Sequence, residues 1–135
     1  MLAKASAGMR PRISFLAVLL PLFLLCNSCV TPSVPIPPPE PEKMIFMFDG
    51  TTNEAQFTFD PDPSYGGAVV YIFNRSQGVG IIETAAANGS VGPTRTFSAN
   101  LGDQVLITFE IETQLSTTCV TMQNGRSSSA LECDI

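Results

Sequence analysis

From Met44 onward the apolar residues recur at every second position. In "AQFTF" and in "QVLITFEIE" the alternation is complete, and in the longer run it sets Val105, Ile107, Phe109 and Ile111 on one face. Gln104, Thr108, Glu110 and Glu112 fall on the other. A period of two is the signature of a strand with one buried face. "AVVYIF" is apolar on both faces, which suits a central strand. The pattern predicts strands over 44–48, 55–59, 68–74, 79–86, 94–99, 104–112, 117–122 and 130–135. Between them stand "DGTTN", "DPDPSYGG", "NRSQG", "NGSVGP", "NLGD" and "NGRSSS". These are residues that tolerate turns or positive φ, and no helical period interrupts them. Seven or eight short strands in about ninety residues predict an all-β antiparallel sandwich, with a small barrel as the competing architecture.

The N-terminal third follows a different rule. A continuous apolar block runs from Ile13 to Cys26, preceded by Lys4, Arg10 and Arg12 and followed by Asn27 and Ser28. A charged segment, an apolar segment and a small-residue site make an export signal, with Met9 as an alternative start. A membrane span needs about 20 apolar residues, and this block is shorter and carries Pro21. After Cys29 comes "VTPSVPIPPPEPE", thirteen residues too proline-rich to build a core. In polyproline II at about 3.1 Å per residue they make a stalk of about 40 Å. The domain plan is therefore a signal over 1–28, a stalk over 29–43 and a globular domain over 44–135.

"LLCNSC" resembles the lipobox of bacterial lipoproteins, in which a small residue, here Ser28, precedes a lipid-accepting cysteine, here Cys29. It departs from that pattern at Cys26 and Asn27. The resemblance implies cleavage before Cys29, acylation there with more than one chain, palmitate among them, and sorting to the outer membrane because Val30 rather than Asp follows. Cys26 then leaves with the signal and Cys29 takes lipid, so Cys119 and Cys133 remain for each other in an oxidising compartment. A hairpin about "NGRSSS" that aligns Met122 with Ala130 sets Cys119 opposite Cys133, within disulfide range. A loop of about 15 residues closed in this way contributes on the order of 3 kcal/mol.

A second likeness covers about a third of the chain. "VVYIFNRSQGVGIIETAAANGSVGPTRTFSANLGDQVLITFEI" looks like bacterial immunoglobulin-like repeats of surface proteins, through Asn74, Gly78, Thr84, Ala85, Ala86, Asn88, Gly89, Ser90, Ala99, Gly102 and Asp103. It departs from them in the insertion "VGPTR" and in its last twenty residues. What it implies is an immunoglobulin-like sandwich. It specifies no function, since these are turn and packing residues.

Charge and chemistry narrow the classes further. Beyond Cys29 the chain carries four basic residues against twelve acidic ones, a net charge of −8, and the basic ones are scattered. Nucleic acid and anionic headgroups are poor partners for such a surface. Histidine is absent, so no Ser-His or Cys-His nucleophile exists and two cysteines alone make a poor metal site. The pair Glu110 and Glu112 shares a strand face that alternation turns to solvent. Asp49, Asn53, Asp60 and Asp62 are hard oxygen ligands on loops that would form a calcium site if they adjoin at one end of the sandwich. Ordinary turns use the same residues. The sequons at Asn74 and Asn88 are no more than a Ser/Thr-rich chain produces by chance. Of the two tyrosines, Tyr71 is expected inside a buried strand and Tyr65, beside Gly66 and Gly67, exposed and available for sugar stacking. No cofactor is implied. The reading is a non-enzymatic, lipid-anchored envelope module that contacts an unknown envelope protein through its edge strands. The alternative is a calcium-dependent or glycan-binding accessory domain built on "DGTTN" and "DPDPSYGG".

Overall fold

The structure, a computed structural model, describes residues 34–130. Eight strands form: β1 Met44–Asp49, β2 Glu54–Phe59, β3 Val69–Asn74, β4 Val79–Thr84, β5 Phe97–Ser98, β6 Gln104–Ile111, β7 Gln114–Thr121 and β8 Gly125–Arg126. They make two four-stranded antiparallel sheets, ordered β5-β2-β1-β8 and β4-β3-β6-β7. β1, β2, β5 and β8 thus share one sheet while β3, β4, β6 and β7 share the other, the two layers of an all-β sandwich. β3 is central, as its two apolar faces predict.

The core follows the alternation. Phe46, Phe57 and Phe59 of the first sheet meet Val70, Ile72, Val105, Ile107 and Phe109 of the second, all fully buried. Ile111, the last of the predicted β6 stripe, is partly buried against them. Burial of this kind stabilises by roughly 1.5–3 kcal/mol per large apolar side chain.

Four expectations are corrected. The strand over 94–99 shrinks to Phe97–Ser98, because Pro93 has no N–H to donate and beside it a side-chain oxygen of Thr94 stands in for a backbone carbonyl. Its Oγ1 accepts from the N–H of Phe57 at 3.0 Å, and its own N–H donates to the carbonyl of Phe57.

Met122 does not pair with Ala130, and the rest of the expected strand over 130–135 lies outside the described residues. Beyond β7 the chain crosses to the other sheet, where Gly125 and Arg126 pair with Phe46 and Ile45 along the outer edge of β1. An edge strand offers unpaired backbone groups, and β8 satisfies those of β1. Asn124 Oδ1 accepts from the N–H of Phe48, and the N–H of Ser127 donates to the carbonyl of Met44 at 2.8 Å. Arg126 holds the carboxylate of Asp60 at 2.5 Å and also donates to the carbonyl of Glu42.

The proline segment is not a free stalk from 29 to 43, since a compact unit already begins at Val34. Residues 36–39 run parallel to β7. The N–H of Ile36 donates to Gln114 Oε1 (2.9 Å), Ser116 Oγ donates to the carbonyl of Pro37 (2.9 Å) and Thr118 Oγ1 donates to that of Pro39 (2.6 Å). Ser116 pairs with Phe109 and Thr118 with Ile107, so these polar side chains lie on the core face of β7. Proline cannot donate to a ladder, and alternate hydroxyls of β7 therefore bind its carbonyls instead. A turn of 3-10 helix, Pro41–Lys43, leads from this strap into β1.

Tyr65 is 1% exposed rather than open to solvent. The 3-10 turn Pro63–Tyr65, capped by Asp62 accepting from the N–H of Ser64, swings the ring inward. It stacks 4.3 Å from Phe109 and 5.6 Å from Phe59 by ring centroids, and its Oη donates to the carbonyl of Pro37 at 2.8 Å. Burial, with the nearby Asp62 carboxylate, pushes the phenol up to about 12.

Two measurements check this packing. Gly89 has φ +80°, and a Cβ there meets the carbonyl oxygen of Asp62 at 1.6 Å, whereas at Gly78, with φ +69°, it meets open space. Gly78→Ala is expected to lose about 1 kcal/mol from the backbone conformation alone, and Gly89→Ala about 3 kcal/mol or more in denaturant titration. For Tyr65 the unfolded phenol ionises from pH 10 while the folded one keeps its proton to about 12, so stability falls as pH rises through that window. In a Tyr71→Phe background, phenolate absorbance is expected near pH 12. Tyr65→Phe removes the alkaline loss at a cost of about 1 kcal/mol at neutral pH.

Candidate functional site

The four candidate calcium ligands are not brought together. β1 and β2 pair from Met44 with Phe59 to Asp49 with Glu54, so Asp49 and Asn53 lie at one end of this hairpin and Asp60 and Asp62 beyond the other. Five strand steps at about 3.3 Å keep the pairs roughly 16 Å apart. Each is already engaged. Asp49 Oδ1 accepts from the N–H of Thr51 at 2.8 Å, and the backbone donors of Thr51 and Thr52 hold its carboxyl below the usual range. Asn53 takes φ +53° in the turn, a conformation asparagine tolerates. Asp60 is paired with Arg126, and Asp62 with Lys43 Nζ at 2.7 Å. That ammonium holds the Asp62 carboxyl below its ordinary value and is itself raised by Asp62 and Glu40. Among the described residues no group of three or more acidic, cysteine or histidine side chains is placed to hold a metal.

Of the cysteines, Cys29 and Cys133 lie outside the described residues. Cys119 is 4% exposed and pairs with Leu106 across β7 and β6, on the outer face of the second sheet. Glu110 and Glu112 do not share a strand face, because β6 ends at Ile111 and Glu112 forms the turn to β7 with φ +55°. Glu110 instead accepts from Tyr71 Oη at 2.5 Å, which raises the Tyr71 phenol. Tyr71 is thus the half-exposed tyrosine, on the outer face, and Tyr65 the buried one.

That outer face is where the molecule offers a surface. One cross-strand row runs Ile82, Tyr71, Thr108, Thr117, and the next runs Gly80, Phe73, Leu106, Cys119. Ile82 is 58% exposed and Phe73 40% exposed, with Leu115 open at the far edge. β4 and β7 are the edges of this sheet, six and eight residues long, whereas the first sheet ends in the two-residue strands β5 and β8. The row lay in the sequence as the second apolar face of "VVYIF". Position in a central strand argued for covering both faces, and the signal for exposure, the alternation "VGIIET" of β4, was too short to separate one face from the other.

At one end of the sandwich a polar cluster fixes two loops. Asn74, fully buried, donates from Nδ2 to Asp103 Oδ2 at 2.7 Å and to the carbonyl of Ser98 at 3.1 Å, while its Oδ1 accepts from the N–H of Gln77. Asp103 also accepts from Gln77 Nε2 and from the N–H of Asn100. Burial raises the Asp103 carboxyl, but these donors outweigh it and hold the group below its usual range. Asn74, Gly78 and Asp103 are thus structural corner residues. Asn88 is likewise a turn residue, its Oδ1 accepting from the N–H and hydroxyl of Ser90.

Comparison with known protein families, with characterised proteins and with solved structures yields no match to this chain.

The Asn74 cluster carries its own test. A carboxyl depressed in the folded state stabilises above its unfolded value and loses that contribution as pH falls through the folded value. Asn74→Ala is expected to cost about 2 kcal/mol at pH 7, since it removes buried hydrogen bonds. Asp103→Asn is expected to lose stability at pH 7, with the difference from wild type closing in acid below the ordinary carboxylate range, as thermal melts across pH will record.

Proposed function

We propose that this chain is a lipid-anchored protein of a bacterial cell envelope, held through Cys29 at the outer membrane, that acts as a non-enzymatic structural or protein-binding module. The observation that carries the binding part is the second sheet. An exposed apolar pair, Ile82 and Phe73, lies beside the open edge of β4, a combination suited to a partner that adds a strand and covers the adjoining side chains. Chemistry at the site has little to work with, since the chain lacks histidine and Asp49, Asp60 and Asp62 are tied to a backbone donor, Arg126 and Lys43.

The lipobox-like "LLCNSC" supports the anchor, and the proline segment that follows supports a domain held outside the bilayer. The same reading includes a bond between Cys119 and Cys133. With β8 inside the loop it closes, such a bond would clip the crossover between sheets, contributing on the order of 3 kcal/mol. The resemblance to immunoglobulin-like repeats of surface proteins, through the corner residues Asn74, Gly89 and Asp103, is in keeping with this reading.

Intact mass of the protein extracted from membranes tests anchor and bond together. The expected species begins at Cys29, carries acyl mass, and gains two hydrogens on reduction. A soluble chain cut elsewhere sinks the anchor, and a mass unchanged by reductant sinks the bond. Ile82→Lys, an exposed change, is expected to leave the melt within about 0.5 kcal/mol of wild type while abolishing photocrosslinking to envelope proteins from a probe on β4.

A further inference from the structure

The free edge of β4 has a definite hydrogen-bonding register. The N–H of Ala85 donates to the carbonyl of Ala68, and the N–H of Gly78 donates to the carbonyl of Asn74. Between these bonds β4 pairs with β3 residue by residue, from Asn74 with Val79 to Val69 with Thr84, without a bulge. Backbone groups of an antiparallel strand point alternately to one neighbour and to the other. Val79, Ile81 and Glu83 therefore face β3 as Ala85 does, and the N–H and C=O groups of Gly80, Ile82 and Thr84 point away. β4 is the last strand of its sheet, so no strand among the described residues receives them. The other long edge, β7, differs, since residues 36–39 lie along it and are bonded to Gln114, Ser116 and Thr118. β4 also carries none of the devices that keep edges apart: it has no proline, no lysine and no bulge, and its one charged residue is Glu83.

A second β4 laid antiparallel along this edge can match outward-pointing groups in three central registers. With Glu83 on the two-fold axis, two half-buried carboxylates face each other, which destabilises the pairing. With Ile81 on the axis, Thr84 falls opposite the partner's Gly78, whose N–H is already given to Asn74, and about four hydrogen bonds form. With Ile82 on the axis, Gly80 pairs with the partner's Thr84 and Ile82 with the partner's Ile82, making about six hydrogen bonds. This third register sets Glu83 opposite an apolar residue, the partner's Ile81, and joins the two exposed Ile82 side chains across the axis. Phe73 fits it as well. A Cβ on Gly80 would stand 3.1 Å from the Phe73 ring, so the ring lies over the glycine and reaches the edge at the level of the partner's Thr84.

We propose that two copies of this chain associate through antiparallel β4 strands with Ile82 on the two-fold axis, joining their second sheets into one continuous sheet. This rests on the reading of β4 as an edge that accepts a strand, and it names the strand. The contact is isologous, so it closes at two copies and leaves both β7 edges beside their proline segments. A contact of this length is small for a permanent dimer, and association therefore depends on concentration.

Sedimentation equilibrium of the full chain in detergent, over about a hundredfold range of concentration, is expected to show monomer passing to dimer. Ile82→Lys sets two ammonium groups against each other at the axis and is expected to weaken association about tenfold or more while leaving the melt unchanged. The register is read by mild oxidation. Ile82→Cys is expected to yield a disulfide-linked dimer severalfold above wild type, which carries the same native cysteines. Thr84→Cys, on the same face but about 13 Å from its own copy, is expected to stay at the wild-type level. A dimer that Ile82→Lys does not weaken, or one that Thr84→Cys captures as well as Ile82→Cys, overturns the proposal. A chain that stays monomeric overturns it too. Photocrosslinking from β4 to a different protein then leaves the strand-accepting edge standing, and no crosslink to any protein removes that edge along with the dimer.

Discussion

The carbonyl of Pro37 receives two hydroxyls, from Tyr65 and from Ser116. That shared acceptor joins three parts of the chain that are far apart in sequence: the proline strap, the 3-10 turn after β2 and the edge strand β7. Tyr65 sets its ring between Phe59 of one sheet and Phe109 of the other. A buried phenol must find a partner for its O–H, and a proline carbonyl with no N–H beside it is a ready acceptor. The polar core face of β7, unexpected in a sandwich, follows from the same contact.

The consequence is an asymmetric molecule. The first sheet finishes in two short strands, and β8 is further held by the Arg126 contacts to Asp60 and Glu42. The second sheet keeps two long edges and an outer face on which Ile82, Phe73 and Leu115 remain exposed. Short edge strands discourage pairing with another chain, whereas a long exposed one leaves a row of unpaired backbone groups. At the same time the Asn74–Asp103 cluster stiffens one end while the strap ties down the other.

The sequence carried the strands well where burial is one-sided. Val105, Ile107 and Phe109 alternate, and so do Ala55, Phe57 and Phe59, because the pleat sends every second side chain to the core. It carried Gly89 as a turn, though not that the turn lies against the backbone of Asp62, since close approach between distant segments leaves no local trace. It failed at Tyr65 and Tyr71, which exchange their expected environments. Flanking glycines argued for an exposed Tyr65, but local turn chemistry does not say toward which side a turn folds. It failed again at Asp49, Asn53, Asp60 and Asp62. Similar loops look alike in sequence, and only the register of β1 with β2 sends them to opposite ends.

By itself, then, the sequence determined the all-β class, the position of nearly every strand between 44 and 122, the acidic balance and the lack of histidine chemistry, because periodicity, composition and turn residues are local properties. Tertiary structure alone decided that part of the expected turn "NGRSSS" becomes β8 and pairs with β1, that residues 36–39 are bound along β7 instead of standing free, and that one apolar face of the second sheet stays open. Each of these depends on which unpaired backbone or apolar surface is nearest once the sheets have packed, and that is settled by contacts between residues as far apart as Pro39 and Thr118.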